Sequence, residues 1–445
     1  MAMTTTKTII FAVAALSLAP LAGAADLLAS YHAAQSQDAV FASARAAQRA
    51  GQEKLPQGRA LLLPSVNLSA NSVYNDNNIQ YRSPSLLGRS GDFRYNTNGY
   101  GVSLTQPLFR QQNWVAYSEA ELQVVQTEAQ FKAAEQDLIL RVAQAYFDVL
   151  IAQDSVKLAE AQKSAISEQL EQAKRNFEVG TATITDTYEA QARFDLTNAQ
   201  EIAAQSNLEI KKRTLQQLTN AMPDELCQLS KEFKLEAPQP GEVEKWVEAA
   251  QQSSLQIAVA QAGAELANKE VARNRGGHYP TLDLVASYAN NSASGGSLGV
   301  GSDSRSKAIG VQFNLPLYLG GAVQSRLREA EANRERAQDD LENTRRNVAL
   351  QTRQAYLGVV NGMAQVQALQ QALKSSESLL EASKLGQEVG VRTNLDVLNA
   401  QQQLYSTRRD LYQAEYNYLL SQLRLKAAAG TLDEADLAKV NQALN

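Results

Sequence analysis

The chain has 445 residues, 44% of them hydrophobic and 20% charged, with a net charge of −5; that balance fits folded protein and not disorder. Two histidines, one cysteine (Cys227), no glycine-rich phosphate loop and no metal-ligand cluster leave no catalytic constellation in view, so neither an enzyme nor a bound cofactor or metal is expected. The mild acidity speaks against a nucleic-acid partner, which would leave a basic footprint.

Residues 1–24 have the form of a signal peptide. Lys7 gives a positive start, Ile9 to Ala19 is apolar, and Ala22-Gly23-Ala24 supplies the small residues of a cleavage site. Losing Lys7 with this leader takes the net charge from −5 to −6. Beyond it no apolar run approaches the ~18–20 residues of a transmembrane helix. If the mature chain crosses a membrane, it does so as β-strands.

The remainder reads as two copies of one unit. Pro64 in LLLPSVNL answers Pro280 in GHYPTLDL at an offset of 216, and Pro107 in TQPLF answers Pro316 in NLPLY at 209. Gln144-Ala145-Tyr146 then answers Gln354-Ala355-Tyr356 at 210, and EVGTATITD at 178–186 answers EVGVRTNLD at 388–396. The first copy spans 25–222, with strands at about 62–76 and 94–109 and helices at 113–179 and 181–222. A linker at 223–250 bears Pro223, Pro238 and Pro240. The second copy spans 251–429, with strands at about 278–291 and 306–319 and helices at 321–389 and 391–429, and 430–445 form a tail.

Two patterns decide the class. Residues 114–179 contain neither Gly nor Pro and predict a helix about 100 Å long at 1.5 Å per residue. Its apolar positions step by four and three through Leu138, Val142, Ala145, Val149, Ala152, Val156 and Ala159, then Ile166, Leu170, Ala173 and Phe177. Such a seam asks for a helical partner. The strands alternate instead, as in Val66, Leu68 and Ala70 against Asn67, Ser69 and Asn71. One apolar and one polar face suit either a soluble core or a bilayer with a watery lumen. The segments NDNNIQYRSPS and NNSASGGSLGVGSDSRS read as loops. Four strands cannot close a barrel, and open edges in hydrocarbon leave backbone groups unsatisfied, so a spanning form needs several chains.

In the repeated turn, Gly180 and Gly390 suit a left-handed helix end. Thr183 and Thr393 are placed as N-caps of the following helix, with Asp186 and Asp396 three residues on, in the capping-box slot. On that reading both aspartates simply start helices.

The order of these landmarks resembles the TolC family of outer-membrane efflux and secretion proteins. The resemblance rests on GHYPTLDL at 277–284, VQFNLPLYLGG at 311–321, NFEVGTATITDTYEAQARFD at 176–195, EVGVRTNLDVLNAQQQLY at 388–405 and YNYLLSQLRLKAAAGTLDEADL at 416–437. It implies a mostly helical mixed fold, a homotrimer whose four strands per chain make a twelve-stranded outer-membrane barrel, and a twelve-helix periplasmic barrel below it. The linker and tail would form a belt around that helical barrel. It implies a passive exit duct in outer-membrane lipid, with a long periplasmic extension. The duct would work with a periplasmic adaptor protein and an inner-membrane transporter of ABC or proton-antiport type.

The resemblance also places the two EVG turns at the periplasmic entrance. There Asp186 and Thr185 would bond to Arg392, and Asp396 would form a three-fold acidic ring. Arg392 stands where the first copy has Ala182. The family's tyrosine is replaced by Gln387 and its second entrance aspartate by Asn399, which implies one acidic ring and a looser lock. A soluble periplasmic coiled-coil adaptor or tether is the alternative; it would need no alternating strands.

Overall fold

The computed structural model describes residues 26–444 except 81, 83–89, 224, 231–232 and 297–299. The expected signal peptide lies outside the described residues. Three short helices, α1 (Leu27–Gln37), α2 (Ala39–Gln52) and α3 (Lys54–Ala60), lead to strands β1 (Ser65–Ile79) and β2 (Gly91–Phe109) and to the long helices α4 (Gln111–Glu178) and α5 (Ile184–Thr219). The pattern repeats as α6 (Val243–Ser253), α7 (Leu255–Arg275), β3 (Thr281–Ala293), β4 (Ser302–Asn314), α8 (Ala322–Glu388) and α9 (Asn394–Ala428), closed by α10 (Glu434–Asn441). With 68 and 67 residues, α4 and α8 each run about 100 Å.

The strands form one antiparallel sheet in the order β1-β2-β3-β4, so the two copies meet at β2 and β3. Along β2 the residues from Asp92 to Val102 on one face are exposed, while Phe93 to Gly101 on the other are half-buried. A Cβ added to Gly99 would run into the carboxamide oxygens of Asn71 and Asn291, so amide side chains of β1 and β3 crowd over β2 on its half-buried face. The exposed face carries Val66, Leu68, Tyr100, Val102, Ile309, Val311 and Phe313.

Three expectations about element ends need correction. The asparagine-rich stretch read as loop is partly strand: Asn75 to Ile79 pair with Tyr95 to Gly91, and their amides add side-chain ladders such as Asn75 Nδ2 to Thr97 Oγ1 at 2.9 Å. On the other side of the second hairpin, β4 begins at Ser302, inside the second expected loop. It ends at Asn314 and not near 319, because Pro316 lacks a donor N–H and Gly320 and Gly321 turn the chain at φ +61° and +82°.

The densest packing lies midway along the helices. Leu138, Val142, Tyr146, Phe147 and Leu150 of α4 pack with Leu27 of α1, Val359 of α8, and Tyr416, Tyr418 and Leu423 of α9. The seam read from sequence is buried from Leu138 to Ala152 and again from Ile166 to Ala173. Phe177 departs from it at 43% exposure, since the last turn of α4 runs past the small cluster of Leu170, Ala173, Ala190 and Phe194.

Linker and tail close around this core. Leu229 bridges Leu444, Ser230 N donates to Ala443 O, and Tyr418 Oη donates to Glu236 O at 2.6 Å while accepting from Glu236 N at 3.0 Å. The start of the chain joins the tail through Leu27 N to Asn441 Oδ1 at 2.9 Å. Cys227 is half-buried beside the core, and burial raises its thiol pKa. His278 falls in a single 3₁₀ turn between α7 and β3.

Candidate functional site: two turns at the helix tips

The two EVG turns lie at the ends of α4 and α8 remote from the sheet. Their backbones repeat each other closely. Gly180 and Gly390 both have φ +80°, a left-handed conformation that disfavours a Cβ. Gly180 N donates to Phe177 O at 3.0 Å and Thr181 N to Asn176 O at 2.8 Å; Gly390 N donates to Gln387 O at 3.1 Å and Val391 N to Gly386 O at 2.8 Å. These are paired Schellman bonds, which satisfy the last carbonyls of each helix. Both capping boxes are formed: Asp186 N donates to Thr183 Oγ1 and Thr183 N to Asp186 Oδ2 at 2.9 Å, and Thr393 N donates to Asp396 Oδ2 at 2.8 Å.

Capping and a second role are compatible, because each box uses one carboxylate oxygen. In the second turn Asp396 Oδ1 lies 3.7 Å from Arg392 Nη1. In the first turn Ala182 offers no cation, and among the described residues Asp186 Oδ1 has no hydrogen-bond partner. Hydrogen bonds from Thr393 N and Oγ1, aided by the Arg392 charge, hold the Asp396 carboxyl below the usual carboxylate range.

The asymmetry has a packing counterpart that the sequence reading missed. A Cβ on Gly386 would stand 2.7 Å from Arg392 Cγ, so the arginine stem rests on a bare patch of α8. The equivalent residue of the first copy is Asn176, opposite the short Ala182. Asn with Ala in one turn and Gly with Arg in the other are alternative fillings of one space. The offset of 210 that aligns the copies carries that signal.

Within one chain the expected bonds from Arg392 to Asp186 and Thr185 are not made. Arg392 stays on its own turn, Asp186 serves its cap, and Thr185 is exposed in the first turn of α5. Gln387 donates from Nε2 to Asn394 Oδ1 at 3.4 Å, also within one turn. Near the tips α5 and α9 instead touch through Arg193, a second residue the sequence reading missed. Its Nη2 donates to Asn399 Oδ1 at 2.9 Å and its Nη1 to Gln402 Oε1 at 2.5 Å, which joins α5 to α9. No local motif marks Arg193, because its partners lie 206 and 209 residues away.

A sheet with an apolar exposed face and edges unpaired among the described residues, carried on helices about 100 Å long, defines a protomer of a channel that joins a membrane β-barrel to a helical tube. The chain belongs to the outer membrane efflux protein family, which it matches over residues 30–221 and 246–431. It is 35% identical to the outer membrane protein TolC of Vibrio cholerae over 95% of this chain and 94% of that protein. It is 34% identical to TolC of Escherichia coli, over 96% and 86%. The alkaline protease secretion protein AprF of Pseudomonas aeruginosa is 33% identical, over 93% and 86%. Among solved structures the fold matches the Campylobacter jejuni CmeC outer membrane channel with a TM-score of 0.79 at 18% identity, over 94% of this chain and 90% of that one.

Proposed function

We propose that the chain is the protomer of a homotrimeric exit duct, which spans the outer membrane as a twelve-stranded barrel and continues into the periplasm as a twelve-helix barrel. The observation that carries this reading is the open sheet: β1 and β4 each have a free edge, and the apolar face spans all four strands. Hydrocarbon tolerates strands only in a closed barrel, and joining β4 of one copy to β1 of the next closes one. The lumen would be lined by the opposite face, with Asn67, Ser69, Asn71 and Asn291 among its residues.

Transport through such a duct is passive and is controlled at the helix tips. The entrance gate consists of Arg392, Asp186, Thr185, Asp396, Gln387 and Asn399. Asp186 Oδ1, unused among the described residues, accepts from Arg392 of a neighbouring copy, so the lock forms on assembly. A periplasmic adaptor and an inner-membrane transporter of ABC or proton-antiport type would spread the tips. Relatives at similar identity include both TolC proteins and protease secretion proteins, so efflux and type I secretion both fit the same duct. The soluble-adaptor alternative leaves the apolar sheet face unexplained.

The oligomer mass in detergent, with conductance in planar bilayers, tests the proposal. A trimer that inserts and conducts is expected. A monomer that stays soluble without detergent would sink it.

A further inference from the structure

The strand register sorts the outward face into rows. Val66, Leu104, Ala286 and Ile309 stand side by side; the next row towards the hairpin loops is Leu68, Val102, Tyr288 and Lys307, and the one after is Ala70, Tyr100, Asn290 and Arg305. From the row of Phe313 to that of Arg305 is eight residues, about 26 Å along the strand. At the usual barrel tilt this gives an apolar band about 20 Å tall, and the two cations mark its distal rim.

The rim has the composition of a membrane interface. Tyr100 and Tyr288 lie 6.3 Å apart between ring centroids, and Asn290 Nδ2 donates to Tyr100 Oη at 3.2 Å. In these two rows the other strands carry only neutral side chains, and both charges belong to β4. Arg305 and Lys307 are exposed. Among the described residues neither joins an ion pair, the sheet's own pairs being Arg94–Asp76 and Arg110–Asp283. Towards the helices the same face of β4 continues as Ile309, Val311 and Phe313, which are 78%, 61% and 63% exposed. Asp303, one row beyond Arg305, would repel an anion and so bounds the site on its outer side.

Two unpaired cations above a column of exposed apolar side chains match one ligand shape: an anionic head on a hydrocarbon tail. A planar guanidinium takes phosphate oxygens in pairs, and an adjacent ammonium adds a point charge. We propose that Arg305 and Lys307 hold a phosphate of a phosphorylated glycolipid in the outer leaflet, with its acyl chains laid along Ile309, Val311 and Phe313. The inference rests on the outer-membrane reading above, which puts the hairpin end of the sheet in that leaflet. Each copy carries one site, so a trimer has three, at the seams where β4 meets the next copy.

The test reconstitutes the full chain in phosphatidylcholine nanodiscs doped with bis-phosphorylated lipid A, monophosphoryl lipid A or phosphatidylglycerol, and counts retained lipid by native mass spectrometry. Lipid A is expected to be retained over phosphatidylglycerol, and its monophosphoryl form less well. The double variant Arg305→Gln/Lys307→Gln should lower lipid A retention roughly tenfold, while Arg94→Gln leaves it unchanged. Equal retention by the double variant and the native chain would overturn the proposal. Equal retention of phosphatidylglycerol and lipid A would overturn the glycolipid assignment. Loss of the trimer in the double variant would also overturn it, assigning the cations to the contact between copies. Failure of the native chain to enter nanodiscs would instead defeat the outer-membrane reading itself, so the two failures are told apart.

Discussion

The middle of the first helical hairpin and its tip are built from different materials. At mid-length, aromatic and branched side chains from α1, α4, α8, α9, the linker and α10 form one continuous core. At the tip of the first hairpin the buried cluster shrinks to Leu170, Ala173 and Ala190 with Phe194, and the contacts joining α5 to α9 there are the hydrogen bonds of Arg193. Burial of apolar area is strong and insensitive to small displacements, whereas exposed polar contacts are individually weak and exchange readily with water. The same hairpin is therefore anchored at mid-length and releasable at its tip.

The largest expected effect breaks the anchored middle. Phe147 is almost fully buried between Tyr146 and Tyr416, and Phe147→Ala should cost about 3–5 kcal/mol, read as a lower melting temperature of the detergent-solubilised protein. A drop no larger than that of a tip variant would erase the contrast. Next in size is a pH effect in the same region. Burial pushes the Glu415 carboxyl up to about 7 from 4.5, with Asp154 adding repulsion and Gln370 partly offsetting it; Asp154 itself is raised by burial and bonded to Tyr416 Oη at 3.0 Å. Because the folded state holds this proton more tightly than the unfolded state, its contribution is full below about pH 4.5. It is lost as pH rises through about 7, on the order of 1–3 kcal/mol. Glu415→Gln should flatten the melting curve across that window; an unchanged slope would count against the buried carboxyl.

At the tips, stability should hardly move while conductance does. Arg193→Ala should raise single-channel conductance by removing the tie between hairpins, with melting unchanged. Asp396→Ala should weaken block by divalent cations applied from the periplasmic side; unchanged block would return Asp396 to a plain helix cap. The smallest effect is the most specific. Gly386→Asn with Arg392→Ala gives the second turn the Asn–Ala pairing of the first, and should conserve the fold while matching the conductance of Arg392→Ser.

Much of this contrast was legible in the sequence because it is local. The glycine-ended turns and both capping boxes depend on residues within a few positions of one another, and the duplication shows because such local motifs recur 209–216 positions later. The strand alternation showed the sheet, but not that asparagine ladders would prolong β1 to Ile79, since amide-rich runs also make loops. Phe177 kept the heptad period yet lost its burial, because periodicity marks a helix face and not whether a partner reaches it. Arg193 was invisible for a related reason: its partners come from the other copy, brought near by packing and not by spacing.

The central claim is that polar contacts at the tips, and not the helical wall, hold the duct closed. Single-channel conductance of the reconstituted double variant Arg193→Ala/Arg392→Ser tests it most directly, with the trimer and its melting temperature as controls. A conductance several-fold above the native protein, with trimer and melting unchanged, is the expected result. Native-like conductance in an intact trimer would contradict the account.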